Sequence, residues 1–262
     1  MSDRTYDVLD QPDVLAVAFH PRRQAFADPR PDGRDVRVPV AEGVAVGGRL
    51  HVAAAEAPLI LFFHGNGELA AEWDDVAPLY RDLGISLLAM DYRGYGASDG
   101  EPTATNLIAD ALAVWRGLPA VLAEQDVRPA RVFVMGRSLG SAAAVAIADA
   151  AADGLAGLIL ESGFVDTFGV IRRLGGPEMP DADEARDGFD HLGKLARITI
   201  PTLIIHGQAD WIIPVTEAHL LHRHCAAADK RLLIIPAGDH NSLLVAGRDE
   251  YFQAIGELVL GG

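Results

Sequence analysis

Short apolar runs alternate with longer, helix-like stretches from residue 59 to the end of the chain. The runs do not alternate with polar residues as half-exposed strands do. Such continuous apolar runs are typical of strands buried on both faces. Predicted strands are, in chain order, "PLILFF", "ISLLAM", "RVFVM", "LAGLILES", "PTLIIHG" and "RLLIIP". Predicted helices cover residues 68–83, 105–125, 139–152, 215–226 and 242–258. This alternation predicts an α/β fold, a mostly parallel sheet with helices on both faces.

The residues before this alternation follow a different pattern. "DVRVPV" and "VAVGGRLHVA" predict two antiparallel strands, with a bend at Gly47 and Gly48. Residues 20–35, rich in Pro and Arg, predict an irregular lead-in. A longer interruption at residues 162–199 follows the sixth strand, and we expect a small cap-like insert there. We expect residues 1–262 to form a single domain.

Polar residues stand directly after four of the predicted strands. His64, Gly65 and Asn66 follow one strand, and Ser138, Asp210 and His240 follow three others. In sheets of this kind, ligands bind at the carboxyl ends of the strands. We therefore expect all four positions to meet at one edge of the sheet.

Ser138 lies in "GRSLGSAAA", between a predicted strand and an alanine-rich helix. A Gly-x-Ser-x-Gly turn at such a junction is typical of a nucleophile, although small residues also suit an ordinary tight turn. A serine hydroxyl needs a base that removes its proton and a carboxylate that orients the base. The chain order Ser138, Asp210, His240 is one known order of such a triad.

Other residues compete for the roles of acid and base. Glu161, at the end of "LILES", and Asp239, next to His240, are alternative acids. Asp210 also fits a turn or a helix start, and His240 an ordinary loop position. We favour Asp210 and His240 because each lies just past a strand end and because they follow Ser138 in a known triad order.

The negative oxygen of a tetrahedral intermediate needs two preorganised N–H donors. Leu139, directly after Ser138 at the start of a helix, supplies one backbone amide. Asn66, in "FFHGNGE", supplies the other. Asn66 and Gly67 alone also fit a generic turn.

Charge and cysteine content exclude several classes of function. The chain carries 22 Lys and Arg against 37 Asp and Glu, for a net charge of −15. Nucleic acids and anionic membranes are bound through clustered Lys and Arg, so we expect neither as a partner. The single cysteine, Cys225, excludes an intramolecular disulfide. The apolar run at residues 14–19 is shorter than a signal peptide or an anchor, so we expect a cytoplasmic protein.

Two stretches suggest a cofactor at first sight. "HLLHRHC" places His219 and His222 on one helical face, but it has no second cysteine or well-placed carboxylate to complete a metal site. "MDYRGYGASDG" lacks the Gly-x-Gly-x-x-Gly spacing of a dinucleotide site. We expect this second stretch to form a tight loop at the rim of the site.

Five motifs occurring together in order resemble the α/β-hydrolase superfamily of serine hydrolases. They are "FFHGNGE", "DYRGYGASDG", "GRSLGSAAA", "IPTLIIHGQADWIIP" and "GDHNSL". The resemblance implies the α/β-hydrolase fold, with Ser138 as nucleophile, Asp210 as acid and His240 as base. It also implies Asn66 and Leu139 as oxyanion donors, and no metal or organic cofactor.

The expected activity is hydrolysis of a small-molecule carboxylic ester or thioester through an acyl-enzyme. The insert at residues 162–199 is short and polar, which favours an open site for small or short-chain acyl groups. Alternatively, its apolar residues line an acyl pocket, namely Phe164, Phe168, Ile171 and Leu174. A non-catalytic binding protein of this fold and an amidase or peptidase are the other hypotheses.

Overall fold

The structure is a computed structural model, and it describes residues 4–24 and 33–261. Eight strands form one sheet in the order β1-β2-β4-β3-β5-β6-β7-β8. The strands are β1 Gly33–Ala41, β2 Val44–His51, β3 Leu59–Phe63, β4 Ser86–Met90, β5 Val132–Arg137, β6 Gly157–Glu161, β7 Thr202–Gly207 and β8 Lys230–Ile235. β2 is antiparallel to both β1 and β4. The other strand pairs are parallel, so the predicted mostly parallel sheet is confirmed.

Helices cover both faces of the sheet, as predicted. They are α1 Pro12–Ala18, α2 Ala77–Asp82, α3 Ala104–Glu124, α4 Gly140–Ala150, α5 Thr167–Arg173, α6 His191–Leu195, α7 Val215–His224, α8 Leu243–Ala246 and α9 Arg248–Gly256. The core on one face contains α3, α4 and α7, and the core on the other contains α2 and α9. Strand β5 shows why two cores form, since alternate side chains such as Phe133 and Val134 enter opposite ones.

Helix α3 is the one helix of the described residues that is long and apolar enough to cross a membrane. Length and composition alone give that result. In this fold α3 lies against β1 and α4, and Leu107, Val114 and Leu118 are buried in the core.

Two predicted helices are each divided in the structure. Within residues 68–83, a 3₁₀ turn at Ala70–Asp75 precedes α2, and Pro78 occupies the first turn of α2. Proline has no N–H and is tolerated at a helix start, so it marks a new helix. Within residues 242–258, Gly247 adopts φ −152° and ψ 49° and separates α8 from α9.

The predicted bend at Gly47 and Gly48 is wrong. Both residues lie inside β2, and Gly48 pairs with Met90 of β4. A Cβ atom at Gly48 would clash with the Met90 side chain, so this glycine permits close approach of two strands. The β1–β2 turn contains Gly43 instead, at φ 67°. Of the predicted irregular lead-in, residues 25–32 lie outside the described residues.

Candidate active site

Ser138 occupies a sharp turn between β5 and α4 and has φ 53°. A non-glycine residue in this left-handed region is strained, and such strain occurs where the surrounding structure holds it in place. Gly136 and Gly140 flank the turn. A Cβ atom at Gly136 would clash with the Gly140 carbonyl, and one at Gly140 with the Phe63 carbonyl. The turn therefore needs glycine on both sides of the serine.

The loops after β7 and β8 bring Asp210 and His240 to this serine. Nε2 of His240 lies 3.0 Å from Oγ of Ser138, and Nδ1 of His240 lies 2.7 Å from Oδ2 of Asp210. Asp210 and His240 are both buried, whereas Ser138 is half-buried. This chain of hydrogen bonds can transfer the serine proton to the imidazole and hold the ring in one tautomer.

Backbone donors fix the carboxylate of Asp210. Its Oδ1 accepts the N–H groups of Ile212 and Ile213 at 3.0 and 2.8 Å. His206 lies behind it, with Nε2 2.8 Å from the Ile213 carbonyl oxygen. Burial lowers the pKa of His206. His206 is therefore neutral at neutral pH, and its Nε2–H donates to that carbonyl.

The two alternative acids have other partners. Glu161 accepts from Nε of Arg137 at 3.0 Å and from the Tyr251 hydroxyl at 2.7 Å. Burial raises the pKa of the Glu161 carboxyl, and Arg137 opposes that rise. Asp239 accepts from the Ser242 hydroxyl and from the Asn241 N–H. The structure thus brings Asp210 to His240 and keeps the other two acids in separate contacts.

Asn66 and Leu139 line the same pocket as Ser138. The Asn66 side chain is anchored, since its Oδ1 accepts the Tyr95 hydroxyl at 2.7 Å and the His20 N–H at 2.8 Å. These bonds hold the Asn66 side chain at the edge of the pocket. Tyr95 belongs to "MDYRGYGASDG", so this loop supports the turn that carries Asn66.

A buried pair fixes the beginning of the same turn. Nε2 of His64 lies 3.2 Å from Oδ1 of Asp91, which also accepts the Ala70 N–H at 2.9 Å. Burial would lower the pKa of His64, but the hydrogen bond and charge of Asp91 outweigh it and raise that pKa. The Tyr92 hydroxyl donates to the His64 carbonyl.

The pocket beside Ser138 is mostly apolar and holds about 530 Å³, its open mouth included. Its walls come from α1 and α5 with the residues that flank them, and also from Asn66, Phe189 and the first residue of α3. Apolar lining side chains include Leu9, Val14, Ala18, Phe19, Phe164, Val170, Ile171, Leu174 and Phe189. Phe164, Ile171 and Leu174 therefore lie where the second hypothesis for the insert places them. Phe168 packs on the core instead.

Sequence reasoning missed the contribution of α1. The length of its apolar run bears only on a signal peptide or an anchor, whereas in the structure Val14 and Ala18 form one wall of the pocket. The available signal was a proline at the helix start followed by apolar residues, which predicts a short helix that packs on something. Nothing local to α1 shows that it packs next to residue 138.

Comparison with known proteins agrees with this architecture. Residues 54–173 and 184–244, more than half of the chain, match the family model described as serine aminopeptidase, S33. An uncharacterised protein of Mycobacterium tuberculosis is 33% identical over 213 residues, which are 80% of this chain and 73% of that protein. Human alpha/beta hydrolase domain-containing protein 17B is 32% identical over 206 residues, 76% of this chain and 65% of the human one.

Solved structures share the fold. The Pyrococcus furiosus esterase Pf2001 superposes with a TM-score of 0.73 at 18% identity, covering 92% of this chain and 98% of the esterase. At that identity the likeness shows the fold alone. Together with the family match, it identifies the sheet and its helices as an α/β-hydrolase fold. The chain therefore belongs to the α/β-hydrolase family described as serine aminopeptidase, S33, and is a hydrolase.

Proposed function

We propose that this protein hydrolyses carboxylic esters or thioesters of apolar acyl groups, with Ser138 as nucleophile. One observation carries the proposal. The hydrogen-bonded chain of Ser138, His240 and Asp210 opens on an apolar pocket. An apolar cleft with a few converging polar groups is the usual form of a small-molecule site.

The reaction proceeds in two steps. Nε2 of His240 takes the Ser138 proton while Oγ attacks the acyl carbonyl, and the backbone amides of Asn66 and Leu139 hold the negative oxygen. His240 then gives its proton to the leaving alcohol or thiol. Water activated by the same imidazole attacks the acyl-enzyme and releases the acid. Asp210 keeps the imidazole oriented throughout.

The apolar walls favour an acyl group longer than acetyl. Each buried methylene contributes about 0.8 kcal/mol, which is roughly a fourfold gain in kcat/KM per methylene while the chain still fits. We therefore propose that kcat/KM rises with acyl chain length and then falls. This replaces the preference for small acyl groups that was expected from the polar residues of the insert. The polar side chains of the insert include exposed Asp181, Asp183 and Arg186.

The first experiment measures kcat/KM for p-nitrophenyl esters from acetate to palmitate, with Ser138→Ala alongside. We expect a maximum at an intermediate chain length and a loss on the order of 10⁴–10⁶ in the variant. Circular dichroism melting checks that the variant is folded. Equal inertness of both proteins would instead favour a non-catalytic binding protein, and a maximum at acetate would contradict the acyl pocket.

The description of the matched family favours a second candidate, an aminopeptidase. Such an enzyme binds a substrate ammonium group, for which a carboxylate beside the nucleophile is suitable. Among the described residues that line the pocket, none is Asp or Glu. This supports esters over peptides. Aminoacyl p-nitroanilides tested beside the esters decide between them, since faster turnover of the anilides would favour the peptidase.

A further inference from the structure

Arg137 immediately precedes Ser138 and has a buried guanidinium with four side-chain or carbonyl partners. Its Nη2 donates to the backbone carbonyl of His240 at 2.7 Å and to Oδ1 of Asn241 at 3.0 Å. Its Nε donates to Glu161 at 3.0 Å, and its Nη1 pairs with Glu68. These partners come from three separate loops or strand ends around the site.

The direction of this side chain follows from strand alternation. Phe133 and Met135 of β5 belong to the core beneath α2 and α9, and Arg137 is the next residue on that same face. The apolar pocket lies in the other direction, and Arg137 does not line it. The guanidinium therefore lies beneath the loops of the site and outside the space proposed for the acyl group.

Two of the contacts reach parts of the proposed catalytic machinery. The bond to the His240 carbonyl holds the backbone of the residue that carries the imidazole. Glu68 connects Arg137 to the other part, because its second oxygen accepts the N–H of Gly65 at 3.2 Å, one residue before Asn66. A single guanidinium thus joins the base-bearing loop to the turn that bears an oxyanion donor.

A buried anchor holds the guanidinium itself. Glu161 accepts from Arg137 and also from the Tyr251 hydroxyl, which lies 3.3 Å from the Tyr80 hydroxyl. The side chains of Glu161, Tyr251 and Tyr80 are all buried. Charge-assisted bonds in such surroundings are stronger than surface bonds and fix direction as well as distance.

We propose that Arg137 is a positioning residue that holds both His240 and the Asn66 turn at their working distances from Ser138. The proposal rests on the proposed function, since it assigns roles to those three residues. Only the planar guanidinium group, with donors on three nitrogens, can bond Glu161, Glu68 and the His240 carbonyl at the same time. Lysine keeps the charge opposite Glu161 but has a single nitrogen, so it cannot also reach the His240 carbonyl.

The test compares Arg137→Lys with Arg131→Lys. Arg131 lies just before β5 on the same face, six residues earlier, and is exposed, so the same exchange there is a matched control. We expect Arg137→Lys to lower kcat by about 10²-fold with KM unchanged, because a displacement of about 1 Å costs that much. We expect the control to match the wild type in both constants.

A cleft beside Arg137 permits a second readout. It holds about 670 Å³ including open solvent and is lined by Glu68, Arg137, Glu161 and Asn241, among others. Guanidinium ions can therefore reach the space left in Arg137→Ala. We expect added guanidinium, but not the same concentration of sodium chloride, to restore part of kcat. A residue needed only for folding would give no such recovery in an already folded variant.

Crystal structures of the wild type and Arg137→Lys make the test independent of substrate choice. We expect the distance from His240 Nε2 to Ser138 Oγ to lengthen beyond hydrogen-bond range in the variant. An unchanged distance, or kcat within threefold of the wild type, would overturn the proposal. If the wild type hydrolyses no ester, the proposed function fails while this distance still decides the role of Arg137. If Arg137→Lys does not fold, Glu68→Gln tests the connection to the Asn66 turn from its partly exposed end. We expect this turn to move relative to Ser138 and kcat to fall, and kcat within threefold of the wild type would overturn the proposal.

Discussion

At the scale of single residues, backbone strain and close packing define the turn around Ser138. The serine has φ 53°, and neither flanking glycine has space for a Cβ atom. The sequence alone predicts this turn, because the two glycines of Gly-x-Ser-x-Gly are the residues that such close packing requires. The sequence does not predict what Arg137 contacts. Its partners are as many as 104 residues away along the chain, and no local pattern encodes them.

The choice between the acids near His240 is also a residue-scale matter, and it gives a prediction. We expect Asp210→Asn to lower kcat about 10³–10⁴-fold, because the imidazole loses the group that orients it. We expect Glu161→Gln to stay within about tenfold of the wild type in kcat. It should lower the free energy of unfolding by roughly 1–3 kcal/mol, since the amide keeps one acceptor oxygen but loses the other, together with the negative charge beside Arg137.

Steady-state kinetics and urea unfolding of both variants measure these effects. The two variants serve as controls for each other, because each exchanges a buried carboxylate at the end of a strand or just beyond it. A larger loss of kcat in Glu161→Gln than in Asp210→Asn would assign the acid role to Glu161.

At the scale of elements, the strands were predictable, whereas the wall that α1 contributes to the pocket was not. A buried strand shows itself as a continuous apolar run, and each of the six runs from residue 59 onward became a strand. Helix α5 packs beside α1 although about 150 residues separate them in the chain. Contacts made at that separation follow from the tertiary fold, so periodicity within either helix cannot reveal the cavity between them.

The walls of the pocket give the element-scale prediction. Ala18 of α1 lines the pocket, and Ala16 of the same helix is exposed. We expect Ala18→Trp to lower kcat/KM for octanoate esters at least 10-fold and for acetate less than threefold, because the indole fills space that a long chain needs.

Ala16→Trp is the matched control, with the same side chain added on the solvent side of α1. Measuring kcat/KM across the ester series for both variants separates filling of the pocket from general damage to the helix. Equal losses at every chain length in Ala18→Trp would show that this wall does not contact the acyl group.

At the scale of the whole molecule, folding stability should respond to pH through the insert. Glu184 accepts hydrogen bonds from the Thr167 N–H and hydroxyl and from the Asp190 N–H, and so connects α5 to the start of α6. Burial raises the pKa of its carboxyl to about 7, although those hydrogen bonds oppose the rise. The folded state therefore holds a proton that the unfolded state releases near its ordinary pKa, about 4.3.

The sign of the effect follows from this difference in bound protons. The stability contributed by the protonated carboxyl is fully present below about pH 4.3 and is lost as pH rises through about 7. We expect the free energy of unfolding of the wild type, relative to Glu184→Gln, to fall by up to about 3 kcal/mol across that range. Urea unfolding of both proteins at several pH values measures it.

Glu178→Gln is the control for this comparison, since Glu178 is an exposed carboxylate of the same insert. Its difference from the wild type should change little with pH. A difference for Glu184→Gln that is constant from pH 4 to pH 8 would contradict the raised pKa.

The origin of the pocket wall in α1 bears on how related proteins diverge. The family match begins at residue 54, so it includes Ser138, Asp210 and His240 but not α1. The proposed triad and this one wall of the pocket thus lie in different stretches of the chain, although α5 and Phe189, which also line the pocket, lie within the matched residues. We expect homologues that keep the three residues but exchange the N-terminal helix to differ in the acyl groups that they accept. Similarity confined to the matched region should therefore predict the shared reaction more closely than the substrate.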